Sequence, residues 1–157
     1  MKPFGWPAEK EGHPMLLDKS LSYNVRMALQ DDIPMIVEIE NGSFKNPLNA
    51  TQVERMMHCR DQALLVFEQD HIVLGHIAYV FNRNLARIIR VAVTPDSHRR
   101  GVGRWLVKHV QRKAVRGRSI QADVPDTDLW AHLFFKACGF TCTGIVDEDL
   151  YRFVYQE

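Results

Sequence analysis

The chain has 157 residues, a hydrophobic fraction of 46% and a formal net charge of +1. That fits one globular domain and argues against a general nucleic-acid binder, which needs a strongly basic face. No apolar run approaches the roughly 20 residues that span a bilayer. Pro3, Pro7, Pro14, Glu9, Lys10 and Glu11 stand where a signal peptide would have its apolar core. The three cysteines, Cys59, Cys138 and Cys142, cannot all pair within one chain. Reduced thiols and a cytoplasmic setting are therefore expected, and Cys138 with Cys142 falls short of the ligand count of a zinc site.

Residues 1–20 read as an extension, either disordered or strapped on the surface, and residues 21–157 as the domain. Residues 23–29 form a first strand. Asp31-Asp32-Ile33-Pro34 starts a helix, with an Asp cap and Pro in the first turn, and Asn41-Gly42 is expected to stop it. After a loop at 47–49, residues 51–59 form a second helix. Residues 63–68 and 72–80 are apolar runs that read as a hairpin around Gln69-Asp70-His71. A strand at 86–93, a helix from Gly101 to about Arg116-Gly117 and a strand at 119–124 follow. A helix at 128–137 and a final strand pair, 141–146 and 149–155, complete the order β-α-α-β-β-β-α-β-α-β-β. A mixed α/β sheet with helices on both faces is the packing solution for that order.

The stretch from Val91 to Arg104 carries the strongest functional signal. An apolar strand runs into a basic turn, His98-Arg99-Arg100-Gly101-Val102-Gly103-Arg104, and a helix begins at once. Two glycines let backbone approach a bulky anion, and a helix start offers unpaired N–H donors and the positive end of its dipole. Such a turn can hold a pyrophosphate.

Two motifs carry a resemblance. His98-Arg99-Arg100-Gly101-Val102-Gly103 is similar to the Gln/Arg-x-x-Gly-x-Gly/Ala signature of the GNAT superfamily of acyl-CoA-dependent N-acetyltransferases. Phe135-Lys136-Ala137-Cys138-Gly139-Phe140 is similar to its Tyr-x-x-x-Gly-Phe element. The resemblance covers residues 22–156. Ile36-Val37-Glu38-Ile39-Glu40, Ser43-Phe44 and Asn46-Pro47 are similar to the opening of the ribosomal-protein N-terminal alanine acetyltransferases. The resemblance implies a mostly antiparallel sheet of about seven strands, splayed between strands 4 and 5. It also implies acetyl-CoA as co-substrate and an amine acceptor, either a protein N-terminus or a small molecule. Many relatives pair through their C-terminal strands, which leaves a homodimer open.

Carried onto this chain, the resemblance gives the backbone of Val91, Ala92 and Val93 to the pantetheine arm. It gives Arg99, Arg100, Gly101, Val102, Gly103 and Arg104 to the pyrophosphate. His98 departs from the usual Gln or Arg. Counting back from Gly139, the position of the family's base on the fifth strand is Asp123. Asp is one methylene shorter than Glu, which favours a water relay. Arg87 and Arg90 stand on the strand where other members carry a catalytic Glu. The usual acid, a Tyr, is replaced by Phe135, which has no proton to give; Cys138, Tyr151 and Tyr155 are the substitutes to weigh. Asp128 stands where the family commonly has Asn, which makes it a candidate cofactor contact by resemblance, and reads first as a helix cap. Asp123, Asp126 and Asp128 read as an acidic mouth rather than a metal cluster. Phe44, His76 and Tyr151 are candidate walls of the acceptor pocket; His71, His109 and His132 have no metal spacing.

The expectation is thus an N-acetyltransferase working by direct attack of a neutral amine. The alternatives are an acyl-CoA-binding regulatory module whose catalysis Phe135 has weakened, and a nucleotide-binding module.

Overall fold

The computed structural model describes residues 22–98, 100–113 and 118–156. The expected N-terminal extension, Arg99 and the end of the helix near Arg116-Gly117 lie outside them. The strands are β1 (Tyr23–Met27), β2 (Gln62–Gln69), β3 (Ile72–Phe81), β4 (Leu85–Val93), β5 (Ser119–Pro125), β6 (Thr141–Asp147) and β7 (Leu150–Tyr155). The helices are α1 (Ile33–Ser43), α2 (Ala50–Met57), α3 (Val102–Lys113) and α4 (Leu129–Ala137). One seven-stranded sheet runs in the order β1-β2-β3-β4-β5-β7-β6. Every pairing is antiparallel except β4 with β5. Among the described residues no helix is long and apolar enough to cross a membrane.

Local chemistry explains most boundaries. Between β2 and β3, Asp70 (φ 49°) and His71 (φ 66°) are both left-handed, as a two-residue hairpin turn of type I′ requires. A reciprocal capping box starts α2: Asn49 Oδ1 accepts from the Gln52 amide and Gln52 Oε1 from the Asn49 amide, both at 2.9 Å. The expected stop at Asn41-Gly42 does not occur. Helix α1 runs through both to Ser43, because its buried face continues from Ile36 and Ile39 to Glu40 and Ser43. Packing against the sheet outweighs the glycine's preference for a terminus.

Alternation divides the core into two layers. Ile77, Val91, Val93, Ile120, Ala122 and Val124 face α3 and α4. Leu64, Val66, Ala78 and Ala92 face α1 and α2. Gly75 on β3 is where backbone comes closest. A Cβ there would lie 2.9 Å from the Ala92 carbonyl oxygen and 3.1 Å from Val102 Cγ1. Gly75→Ala should therefore force β3 away from β4 and α3 and destabilise by about 1–3 kcal/mol. The check is the urea midpoint of the variant; an unchanged midpoint would show that the strands yield freely.

Candidate active site

The site begins with an irregularity in β4. Ala78 pairs with Arg90 and Tyr79 with Ile88, so Ile89 is an extra residue that bulges out of the β3–β4 ladder. On its other edge, β4 pairs with β5 only from Leu85↔Ser119 to Ile88↔Ala122. Beyond that point β4 stays on β3 and β5 stays on β7. The two central parallel strands thus part in a V whose apex lies at the bulge.

The V leaves strand edge without a strand partner. The Thr94 amide donates to the Leu74 carbonyl at 2.8 Å. Antiparallel pairing alternates, so Thr94, Ala92 and Arg90 turn their backbone groups to β3, while Val93 and Val91 turn theirs into the V. His98 agrees with this phase: its Nε2–H donates to the Val93 carbonyl at 3.1 Å. The expectation that Ala92 also offers backbone to the slot is corrected, because its groups belong to the β3 ladder.

The basic turn closes the wide end. Gly101 has φ 77°, and its carbonyl accepts the first helical bond of α3, from the Trp105 amide at 3.0 Å. First-turn amides, from Val102 on, precede that bond and form the helix's anion-ready end. Gly103 sits tightly: a Cβ would be 3.3 Å from the Phe134 ring and 3.6 Å from Val93 Cγ2. Arg100 is tied to the Gln69 side chain at the end of β2, which fixes the turn against the sheet.

On the α1 side of the sheet a buried polar network stands beside the apex. Glu40, fully buried on α1, accepts from His76 Nε2 at 2.8 Å, from Arg90 Nη2 at 3.1 Å and from the Leu48 amide at 3.1 Å. Burial pushes the Glu40 carboxyl up. The His76 hydrogen bond and charge, the Leu48 amide and the Arg90 charge outweigh it and hold the group below the usual carboxylate range. Arg90 also donates to the Asn46 carbonyl, at 2.6 Å, and lies 4.2 Å from the Phe44 ring centroid. Glu40 and Arg90 together therefore hold the loop carrying Phe44 over β4. Sequence reading passed over this network, although a carboxylate on the apolar face of a helix was the available signal.

Asp123 is the first β5 residue beyond the paired segment. Its two oxygens accept from Arg152 Nε at 3.0 Å and Nη2 at 3.1 Å, a bidentate pair across the Asp123↔Arg152 register of β5 and β7. Asp128 Oδ1 accepts from the Ala131 amide at 3.1 Å and caps α4. Phe135 is core, packed on Phe134, Phe140 and Phe153.

Two expected pocket walls are displaced. His76 is fully buried behind Glu40 and presents no surface to a ligand. Tyr151 packs on the α4 side, 5.5 Å from the His132 ring, on the opposite face of the sheet from Phe44. Burial pushes the Cys138 thiol up to about 12. Among the described residues no group of three or more His, Cys, Asp or Glu side chains is placed to hold a metal ion.

A parted β4–β5 pair facing a glycine-marked helix start is a family trait, and the family model described as "Acetyltransferase (GNAT) family" matches residues 33–140. The chain belongs to the GNAT acetyltransferase family. Among solved structures, this GNAT chain is similar to a paia N-acetyltransferase from Thermoplasma acidophilum in complex with coenzyme A (14% identity, TM-score 0.76, covering 87% of this chain and 99% of that one). It is similar also to the ribosomal-protein-S18-alanine N-acetyltransferase from Escherichia coli (16%, 0.68, 85% and 91%). A third is yncA from Salmonella typhimurium with its cofactor acetyl-CoA (21%, 0.69, 85% and 93%). At these identities the likeness is one of fold. No curated protein sequence matches the chain.

Proposed function

We propose that this protein transfers an acetyl group from acetyl-CoA to a primary amine, by direct attack of the neutral amine on the thioester. The observation that carries the reading is the V between β4 and β5, opening toward the first turn of α3. Its features fit the co-substrate. The edge of Val91 and Val93 matches an extended amide-bearing arm, and the α3 amides with Arg104 match a pyrophosphate, while the Arg100 side chain is held on Gln69 and contributes through its place in the turn. Arg99 belongs to the same proposal by sequence. Acetyl-CoA supplies an activated acyl group and a thiol leaving group.

The chain's own residues then have separable tasks. The Val91 N–H, on the slot edge nearest the apex, polarises the carbonyl as charge develops on its oxygen. Asp123 keeps acceptor capacity on each oxygen despite the Arg152 fork and receives the amine's proton, directly or through water. Phe135 leaves the departing thiolate without a hydroxyl donor. With a thiol pKa of about 8.5 the thiolate is a tolerable leaving group near neutrality, so it departs without an internal acid and takes its proton from solvent. The buried aromatic at position 135 also favours a second reading, an acyl-CoA-binding module with little turnover.

Calorimetry with acetyl-CoA, against ATP as comparison, tests the slot; release of thiol with a panel of amines tests transfer. Asp123→Asn should lower kcat/KM by about 100-fold or more. The residual rate should climb with pH toward the amine's own pKa, about 8 for an α-amine. Acetyl-CoA binding without thiol release on any amine would favour the binding module, and an unchanged Asp123→Asn rate would remove Asp123 as base.

A further inference from the structure

The floor beside the apex holds a cation, Arg87, that the other described residues leave without a counter-charge. Neighbours of Arg87, Gln121, Asp123 and Arg152 along their strands face α3 and α4, so these four side chains share the α1 face. Helices α1 and α2 pack over β2, β3 and β4, while Gln121, Asp123 and Arg152 remain half-buried on the uncovered part of that face. Other arginines of the face are paired. Arg26 meets Asp32 at 2.7 Å and Glu68 at 3.0 Å, Arg90 meets Glu40, and Arg152 meets Asp123. Arg87 has no ion pair among the described residues, and its buried Nε has no hydrogen-bond partner. Across the parallel register stands Gln121, whose buried Oε1 is also unpartnered.

A half-buried guanidinium with no counter-charge is costly to maintain. Both nearby carboxylates are committed: Asp123 to Arg152, and Glu40 to His76, Arg90 and the Leu48 amide. No described carboxylate supplies that counter-charge, and a bound molecule that carries an anionic group would. Arg87 lies one residue before the point where β4 and β5 part, and Asp123 one residue past it. An acceptor with its amine at Asp123 therefore has its neighbouring atoms at Arg87.

We propose that the acceptor carries a carboxylate close to its amine, as an α-amino acid does, and that Arg87 binds this carboxylate while Gln121 Oε1 takes a donor from the same molecule. A guanidinium matches a carboxylate with two parallel N–H donors. A polyamine would place a second cation against Arg87, and a protein N-terminus has an amide where the carboxylate is needed. The inference rests on the acetyl-transfer reading and narrows its substrate.

The test is initial-rate acetylation of the common α-amino acids, each beside its methyl ester. The ester's amine is the more easily deprotonated, so a preference for the acid cannot come from basicity. The best acid is expected to exceed its ester by about 10- to 100-fold in kcat/KM, mostly through KM. Arg87→Gln should bring that ratio close to one, and Arg87→Lys should restore part of it. Acetyl-CoA affinity by calorimetry reports folding of each variant. Equal use of acid and ester, or an unchanged ratio in Arg87→Gln, overturns this inference and leaves acetyl transfer standing. No acetylation of any amine, with acetyl-CoA bound, overturns both.

Discussion

Glu40→Ala should be among the most destabilising single substitutions in the chain, at about 3–5 kcal/mol. The carboxylate answers His76 and Arg90 at once and takes the Leu48 amide. Removing it leaves a buried imidazole and a loop amide without their acceptor and takes the counter-charge from a half-buried guanidinium, which keeps only the Asn46 carbonyl. Domains of this size are stable by about 5–15 kcal/mol, so the loss is a large share of the total. Glu40→Gln keeps an acceptor oxygen and should lose less, which makes it the folded comparison if the alanine variant cannot be purified. Acid should act on the same group. Its folded pKa lies below its unfolded one, so its contribution is complete above about 4.3 and is lost as pH falls through the folded value. Urea midpoints of wild type and both variants, followed from about pH 3 to about pH 7, check this. Wild-type stability should fall on the acid side while Glu40→Gln stays flatter, and equal slopes would mean that other carboxylates govern acid unfolding.

The same network shows where sequence reading stops. Strand and helix order could be read because apolar period and turn chemistry agree locally, as at the Asn49–Gln52 box and the Asp70-His71 turn. The bulge also left a trace. On β4 the positions facing α3 and α4 run Ala86, Ile88, Val91, Val93, and the three-residue step from 88 to 91 is the phase slip of one extra residue. Pairings across the sheet left none. Arg152 reaches Asp123 only because β5 and β7 adopt one register, and His76 reaches Glu40 across 36 residues of sequence. Gln121 and Arg87 became a pair of interest only once the parallel register was known. The proposed base and cofactor positions follow from motifs; their partners follow from the fold.

Val91→Pro should separate fold from function most sharply. The Val91 amide faces the V and not the β3 ladder, since the Thr94 bond to Leu74 sets the phase. Proline there removes no ladder hydrogen bond, as at an edge strand, but it deletes the slot donor and places its ring in the slot. Arg90, the residue before it, already lies in a strand, which proline favours. Thiol release should drop by about 100- to 1000-fold, the usual effect of losing one donor to a developing oxyanion, with acetyl-CoA affinity falling too. Val91→Ala controls for the buried side chain. Ala92→Pro is the opposite case: it removes a bond to β3 and should destabilise the fold by about 1–3 kcal/mol. Circular dichroism melts and calorimetry on the three variants decide the matter. If Val91→Pro melts as early as Ala92→Pro, the phase assigned to β4 is wrong. If it folds and still releases thiol at the wild-type rate, the strand edge does not polarise the carbonyl.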